Sequence, residues 1–109
     1  MTKRLRILVP LLLLPSLALG ASTWSAFGYV STVSAQDGRY VVLTDIPTSG
    51  VCGDSGKFYW TTSNAQSGDF LRLATAAMLG ARRIRVLYDG ADLDCWTGAA
   101  KISGVKIGP

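Results

Sequence analysis

A mainly β fold with one helix, in the order β-β-β-α-β-β, is predicted by three features of this sequence. Short runs of β-branched and aromatic residues recur along the chain. A single stretch carries Phe70, Leu73, Ala74 and Ala77 at i, i+3, i+4 and i+7, the apolar stripe of one amphipathic helix. Immediately after it, Arg83-Ile84-Arg85-Val86-Leu87-Tyr88 switches to a period of two, with Ile84, Val86 and Tyr88 on one side and the arginines on the other. A helix feeding straight into a strand, in a chain of short strands, lies across a sheet or plugs the end of a barrel.

Taken in order, the first strand spans Ala26 to Ser34 through Phe27, Tyr29, Val30 and Val33, and the second is Tyr40-Val41-Val42-Leu43. Between them Gln36-Asp37-Gly38-Arg39 signals a hairpin, because the glycine accepts the positive φ of a tight primed turn. Pro47 ends the second strand, and a glycine-rich loop carries Cys52 into the third, Lys57-Phe58-Tyr59-Trp60-Thr61-Thr62. Of Ser63, Asn64 and Ser67, Ser67 is the expected helix N-cap: Gly68 would weaken an earlier start and Asp69 suits the positive end of the helix. Gly80 is the expected stop. Asp89 to Asp94 forms a turn-rich connector to Cys95-Trp96, and the fifth strand runs from Ala100 to Ile107. Gly104 breaks its alternation, so a bulge is needed to bring Ile102 and Val105 to one face.

The N-terminus reads as a secretory signal over residues 1–20: Lys3, Arg4 and Arg6, then an apolar run broken by Pro10 and Pro15, then Ala18-Leu19-Gly20 at the expected cleavage site. An uncleaved anchor is the other reading of this run, and no later stretch is long enough to span a bilayer. Residues 21–109 then form a single domain in a secreted or periplasmic setting. Of 11 Lys+Arg, three leave with the signal, so eight cations face seven Asp+Glu. The high isoelectric point is mostly an export feature and does not argue for nucleic acid as a partner. Cys52 and Cys95 are the only cysteines, and an even count on an export route predicts one disulfide. Closing a loop of that size stabilises a small domain by about 4 kcal/mol in the chain-entropy model.

Catalysis has little to work with. No histidine and no glutamate occurs, which removes the usual base for a serine or cysteine nucleophile and the commonest zinc ligand. An enzyme, a metal centre and a cofactor are therefore not expected. Gly50 to Lys57 misses the phosphate-loop spacing and is followed by a strand where that motif needs a helix. Asp89, Asp92 and Asp94 fit a solvated turn better than a calcium loop. Arg82, Arg83 and Arg85 read as a solvated basic face, with an acidic glycan or a partner subunit as the rival reading.

The predicted order is the connectivity of an OB-like five-stranded barrel, here closed by one disulfide. Cys52, Trp60-Thr61-Thr62, the alanine-rich Leu71 to Met78, Arg83-Ile84-Arg85-Val86 and Cys95-Trp96 also resemble the small secreted proteins related to the subtilase-cytotoxin and pertussis-like toxin B subunits. The resemblance covers roughly Gly50 to Ile107 and implies an OB-type barrel that in toxin members forms a pentamer and binds cell-surface glycans. The serine that contributes to sialic-acid recognition there has no counterpart in register at Phe27-Gly28-Tyr29, so no glycan-binding residue carries over.

Two candidate surfaces follow. Trp96, Trp60, Tyr59 and Tyr88 lie near the cysteines in sequence, and with Asp92 and Asp94 they would offer rings to the C–H face of a sugar and acceptors to its hydroxyls. Leu71, Thr75, Ala76 and Leu79 lie off the main helical stripe and suit an oligomer interface. The functional expectation is a non-catalytic binding module for a carbohydrate or protein surface, oligomeric as toxin B subunits are. The alternative is a structural or inhibitory periplasmic protein with a protein partner and no glycan site.

Overall fold

The structure, a computed structural model, describes residues 22–47, 52–89 and 94–108, the side chain of Asp89 excepted. The expected signal segment 1–20 and Asp92 lie outside the described residues. Along the chain stand β1 (Ser22–Trp24), β2 (Gly28–Gln36), β3 (Arg39–Thr44), β4 (Lys57–Thr61), α1 (Ser67–Gly80), β5 (Arg83–Asp89), β6 (Cys95–Trp96) and β7 (Ala99–Gly108). The mainly β class with one helix agrees with the expectation. The sheet has seven strands among the described residues where five were expected, because the short strands β1 and β6 add to both ends of the order β1-β5-β2-β3-β4-β7-β6.

The hairpin between β2 and β3 forms at the expected place, with Asp37 and Gly38 both at positive φ (52° and 74°), the requirement of a primed turn. β3 then pairs antiparallel with β4, and β4 pairs in parallel with β7 through Phe58–Ala100 and Tyr59–Lys101. A parallel pair needs a long crossover, and α1 with β5 supplies it. β5 lies antiparallel to β7 on one edge and to β1 and β2 on the other. The pairings thus run β2–β3–β4–β7–β5 and return to β2. Between β1 and β2 the ladder is kept by Ser25: its amide donates to the Val86 carbonyl (2.8 Å) and its hydroxyl oxygen accepts from the Val86 amide (3.0 Å).

Two bulges bend the long strands. In β2, Ser31 is the extra residue between the pairs Val30–Thr44 and Thr32–Leu43. In β7, Ser103 is skipped between Leu87–Gly104 and Tyr88–Ile102, the bulge expected from Gly104. Its effect is the expected one: Ile102 is buried in the main core and Val105 packs against that core.

The core gathers inward residues from alternate positions, Val42 on β3, Phe58 and Trp60 on β4, Ile84 and Val86 on β5, and Ala100 and Ile102 on β7. α1 closes over it with Phe70, Ala74 and Ala77; Leu73, expected on this stripe, is half-exposed. Trp60 and Phe70 meet edge to face at 5.6 Å, so the helix is keyed to β4 by an aromatic pair. The helix ends differ from expectation. Ser67 is the first helical residue and caps nothing; its buried hydroxyl accepts the Trp60 Nε1–H at 3.1 Å, which satisfies the one polar atom of a wholly buried indole. Asn64 shapes the entry instead, its side chain accepting the Gln66 amide (2.8 Å). At the other end Gly80 remains helical and Ala81 takes the left-handed conformation (φ 52°).

Two stability predictions follow from these contacts. Ser67→Ala strands the Trp60 N–H in the core and should cost about 1–3 kcal/mol in urea unfolding; a neutral result would mean the indole finds another acceptor. Gly38 and Gly56 both have positive φ, but a Cβ at Gly38 meets open space whereas one at Gly56 overlaps the Thr44 carbonyl oxygen. Gly38→Ala should therefore cost only the backbone penalty of about 1–2 kcal/mol, and Gly56→Ala clearly more; equal losses would refute the steric part.

Candidate functional site

Because Phe58 and Trp60 point inward, Tyr59 between them points out, and the same alternation turns Arg39 and Val41 of β3 and Ala99 of β7 to that outer face. β6 adds Trp96 directly opposite Ala99, whose small side chain leaves room for the indole. Val41, Tyr59 and Ala99 form a second, smaller apolar cluster with Trp96 packed against it. The two rings lie 6.0 Å apart at 56°. The Arg39 guanidinium stands 4.5 Å from the Trp96 ring centre and 5.9 Å from that of Tyr59, and its Nη1 donates to the Asp37 carbonyl (3.0 Å). Such cation–ring contacts contribute about 0.5–1 kcal/mol each where water reaches them.

The site is tied down from below. Cys52 and Cys95 form the expected disulfide, with Cα atoms 5.5 Å apart and a sequence separation of 43. Thr97, at φ 46°, turns the chain from β6 into β7 together with Gly98, and the loop before β4 grips that turn twice: the Asp54 amide donates to the Gly98 carbonyl (3.1 Å) and Lys57 Nζ to the Thr97 carbonyl (2.9 Å). Asp94 stands exposed at the cluster's edge, 3.8 Å from Lys101 Nζ. The pKa of the Tyr59 phenol lies above its ordinary value of about 10. Burial is the main cause, the Asp94 carboxylate acts in the same direction, and the Arg39 guanidinium opposes both.

The candidate ligand set therefore divides. Trp96 and Asp94 come together on the outer face, and Tyr59 lies beneath the Trp96 indole, only 5% exposed. Trp60 is wholly buried with its N–H satisfied and offers no face to a ligand, and Tyr88 is half-buried against Phe58, with ring centres 6.5 Å apart. Both belong to the core because the inward phase of their strands puts them there. On the helix, Leu71 packs against the main core, Thr75 is half-buried, and Ala76 and Leu79 are exposed, Leu79 at 78%. In the sequence Arg39 stands only as a hairpin flank; the register Val41–Tyr59, which brings it to the rings, is set by a pairing across the long loop before β4. Among the described residues no three His, Cys, Asp or Glu side chains gather, and no helix is long and apolar enough to cross a membrane.

The Tyr59 environment makes a pH prediction. Below its ordinary value the phenol is neutral folded and unfolded; as pH rises past about 10 the unfolded chain ionises first, so the stability it contributes is lost until the folded phenol ionises too. Urea unfolding should show stability falling over this range, and Tyr59→Phe should remove part of the fall; an unchanged fall would exclude Tyr59 as a source. Comparison with protein-family models, with characterised proteins and with solved structures returns no match for this chain.

Proposed function

We propose that this chain is an exported, non-catalytic binding module built as an OB-like barrel, and that it recognises a carbohydrate through Trp96, Arg39 and Asp94, with the buried Tyr59 supporting the indole from beneath. The barrel reading is supported by the return of the strand pairings to β2 and by the single parallel pair between β4 and β7. The export reading is supported by the basic and apolar N-terminal sequence and by the disulfide, a bond suited to oxidising compartments.

The observation that carries the ligand class is a half-exposed indole standing beside a fixed guanidinium and an exposed carboxylate. Pyranoses need an apolar ring surface for their C–H face together with donors and acceptors for their hydroxyls, and these three side chains provide both kinds. A single site of this size binds weakly, and assembly into a ring, as in toxin B subunits, would raise it to useful avidity. The second reading, a protein partner with no glycan site, is favoured by Leu79, which stands largely exposed beside Ala76 on the outer side of α1.

Glycan-array binding of the mature chain, compared with Trp96→Ala, tests the first reading. Loss of the indole should weaken a specific hit by about tenfold or more, as truncation of a central aromatic does. Binding to no glycan, or binding indifferent to the substitution, would favour the protein partner, and light scattering with Leu79→Asp would then report whether that partner is a second copy.

A further inference from the structure

A second outer surface lies away from Trp96, where β1 and β5 meet the C-terminal half of β7. Trp24 of β1 and Phe27 of the following link lie over this face. Phe27 occupies the space that a Cβ at Gly108 would need, and the Trp24 indole passes close to where a Cβ at Gly104 would stand, at 3.3 Å. The two glycines are notches for the two rings. Between and beside the rings stand three cations. Arg85 lies 4.5 Å from the Phe27 centre and 5.9 Å from that of Trp24, Arg83 lies 5.5 Å from Phe27, and Lys106 lies 4.8 Å from Trp24. Arg83 and Arg85 are alternate residues of one strand, about 7 Å apart, and Lys106 is the cross-strand partner of Arg85.

Three cations elsewhere are answered by aspartates, Lys57 by Asp54, Arg72 by Asp69 and Lys101 by Asp94, whereas Arg39 is held by the rings of Trp96 and Tyr59. No carboxylate among the described residues lies within ion-pair distance of Arg85 or Lys106. The difference matters chemically. A carboxylate partner cancels the charge and occupies the N–H edge of a guanidinium. A ring holds the cation by its quadrupole, leaves the charge whole, and leaves the N–H edge turned away from the ring for an oxyanion. Arg85 is half-buried with its Nε covered, so its terminal amino groups are the part left to meet an oxyanion.

From this juxtaposition we propose that the outer face of β1, β5 and β7 is a binding surface for a sulfated polysaccharide, whose sulfate oxygens are met by Arg85 and Lys106. Arg85 and Lys106 face each other across paired strands, so a sulfate meets a guanidinium fork and a point charge side by side. Single-stranded nucleic acid fits less well, because bases need free ring faces on which to stack, and these faces are taken by cations and by the glycine notches. An anionic membrane also fits less well, since the half-buried Trp24 and Phe27 lie along the sheet and do not project into a bilayer. With cations and anions nearly balanced beyond the signal segment, such binding would come from the placement of charge and not from its total.

Retention of the mature chain on immobilised heparin over a salt gradient tests the proposal. The Arg85→Gln/Lys106→Gln double variant should bind heparin at least roughly tenfold more weakly and lower the slope of log affinity against log salt by about one per cation removed. Arg72→Gln, which removes an equally charged residue from α1, should change neither. Arg85→Lys, which keeps the charge but loses the planar fork, should fall between wild type and the double variant. Near-ultraviolet circular dichroism checks that the variants fold, and the single Lys106→Gln, at an exposed position, reports alone if the double variant does not. Failure of the wild type to bind heparin, an Arg72→Gln loss equal to that of the double variant, or tighter binding to oligothymidylate or to phosphatidylglycerol vesicles than to heparin would each overturn the proposal.

Discussion

Strand β7 has to serve different neighbours in succession, and the rest of the chain is arranged around how it does so. Its first residues pair with β4 on one edge and β6 on the other, while its remaining length pairs with β5. A straight strand has one repeat of in and out along its whole length. The skipped residue Ser103 resets that repeat, so Ala100 and Ile102 before the bulge and Val105 after it all reach the same core. Without that reset the C-terminal half of β7 would turn its apolar side outward, and both α1 and the Phe58–Trp60 layer would lose part of their floor.

The same bend gives the molecule two unlike outer faces. Before it, Ala99 leaves room for Trp96 and the face carries rings, one guanidinium and a nearby carboxylate. After it, Gly104 and Gly108 leave room for Trp24 and Phe27, and the face carries cations held by rings. Surface ion pairs and exposed cation–ring contacts are of similar size, each on the order of 0–1 kcal/mol. A ring can therefore replace a carboxylate as the neighbour of an arginine at little cost in stability. What changes is the field outside the protein, because no carboxylate among the described residues cancels the charges of Arg85 and Lys106.

Local features were legible in the sequence because few residues decide them. Asp37-Gly38 specified its turn, the spacing of Phe70, Ala74 and Ala77 specified the buried side of α1, and Gly104 announced the bulge. The pairing of Cys52 with Cys95 followed from there being no other cysteine. Features set by register were not legible. Trp60 and Tyr59 are adjacent and equally aromatic, yet one fills the main core and the other the smaller buried cluster on the opposite face of the sheet, because the phase of β4 is decided by β3 and β7 together. Arg39 joins the site only through that phase. β1 is three ordinary residues, and its strand character comes from an edge of β5 that is far away in sequence. Ser67 has the composition of a cap, but a buried indole N–H competes for its oxygen and prevails, since an unpaired donor in the interior costs more than an exposed helix end.

The Cys52–Cys95 bridge also bears on β6. That strand is only two residues long and covers the outer amides and carbonyls of Ala99 and Ala100, a task too small for its own backbone bonds to sustain. The sulfur link keeps this cover seated. A chain left unoxidised would carry a bare sheet margin beside an apolar cluster, the arrangement from which strands of separate molecules stack. For this fold, then, timely sulfur oxidation guards against self-adhesion as well as unfolding.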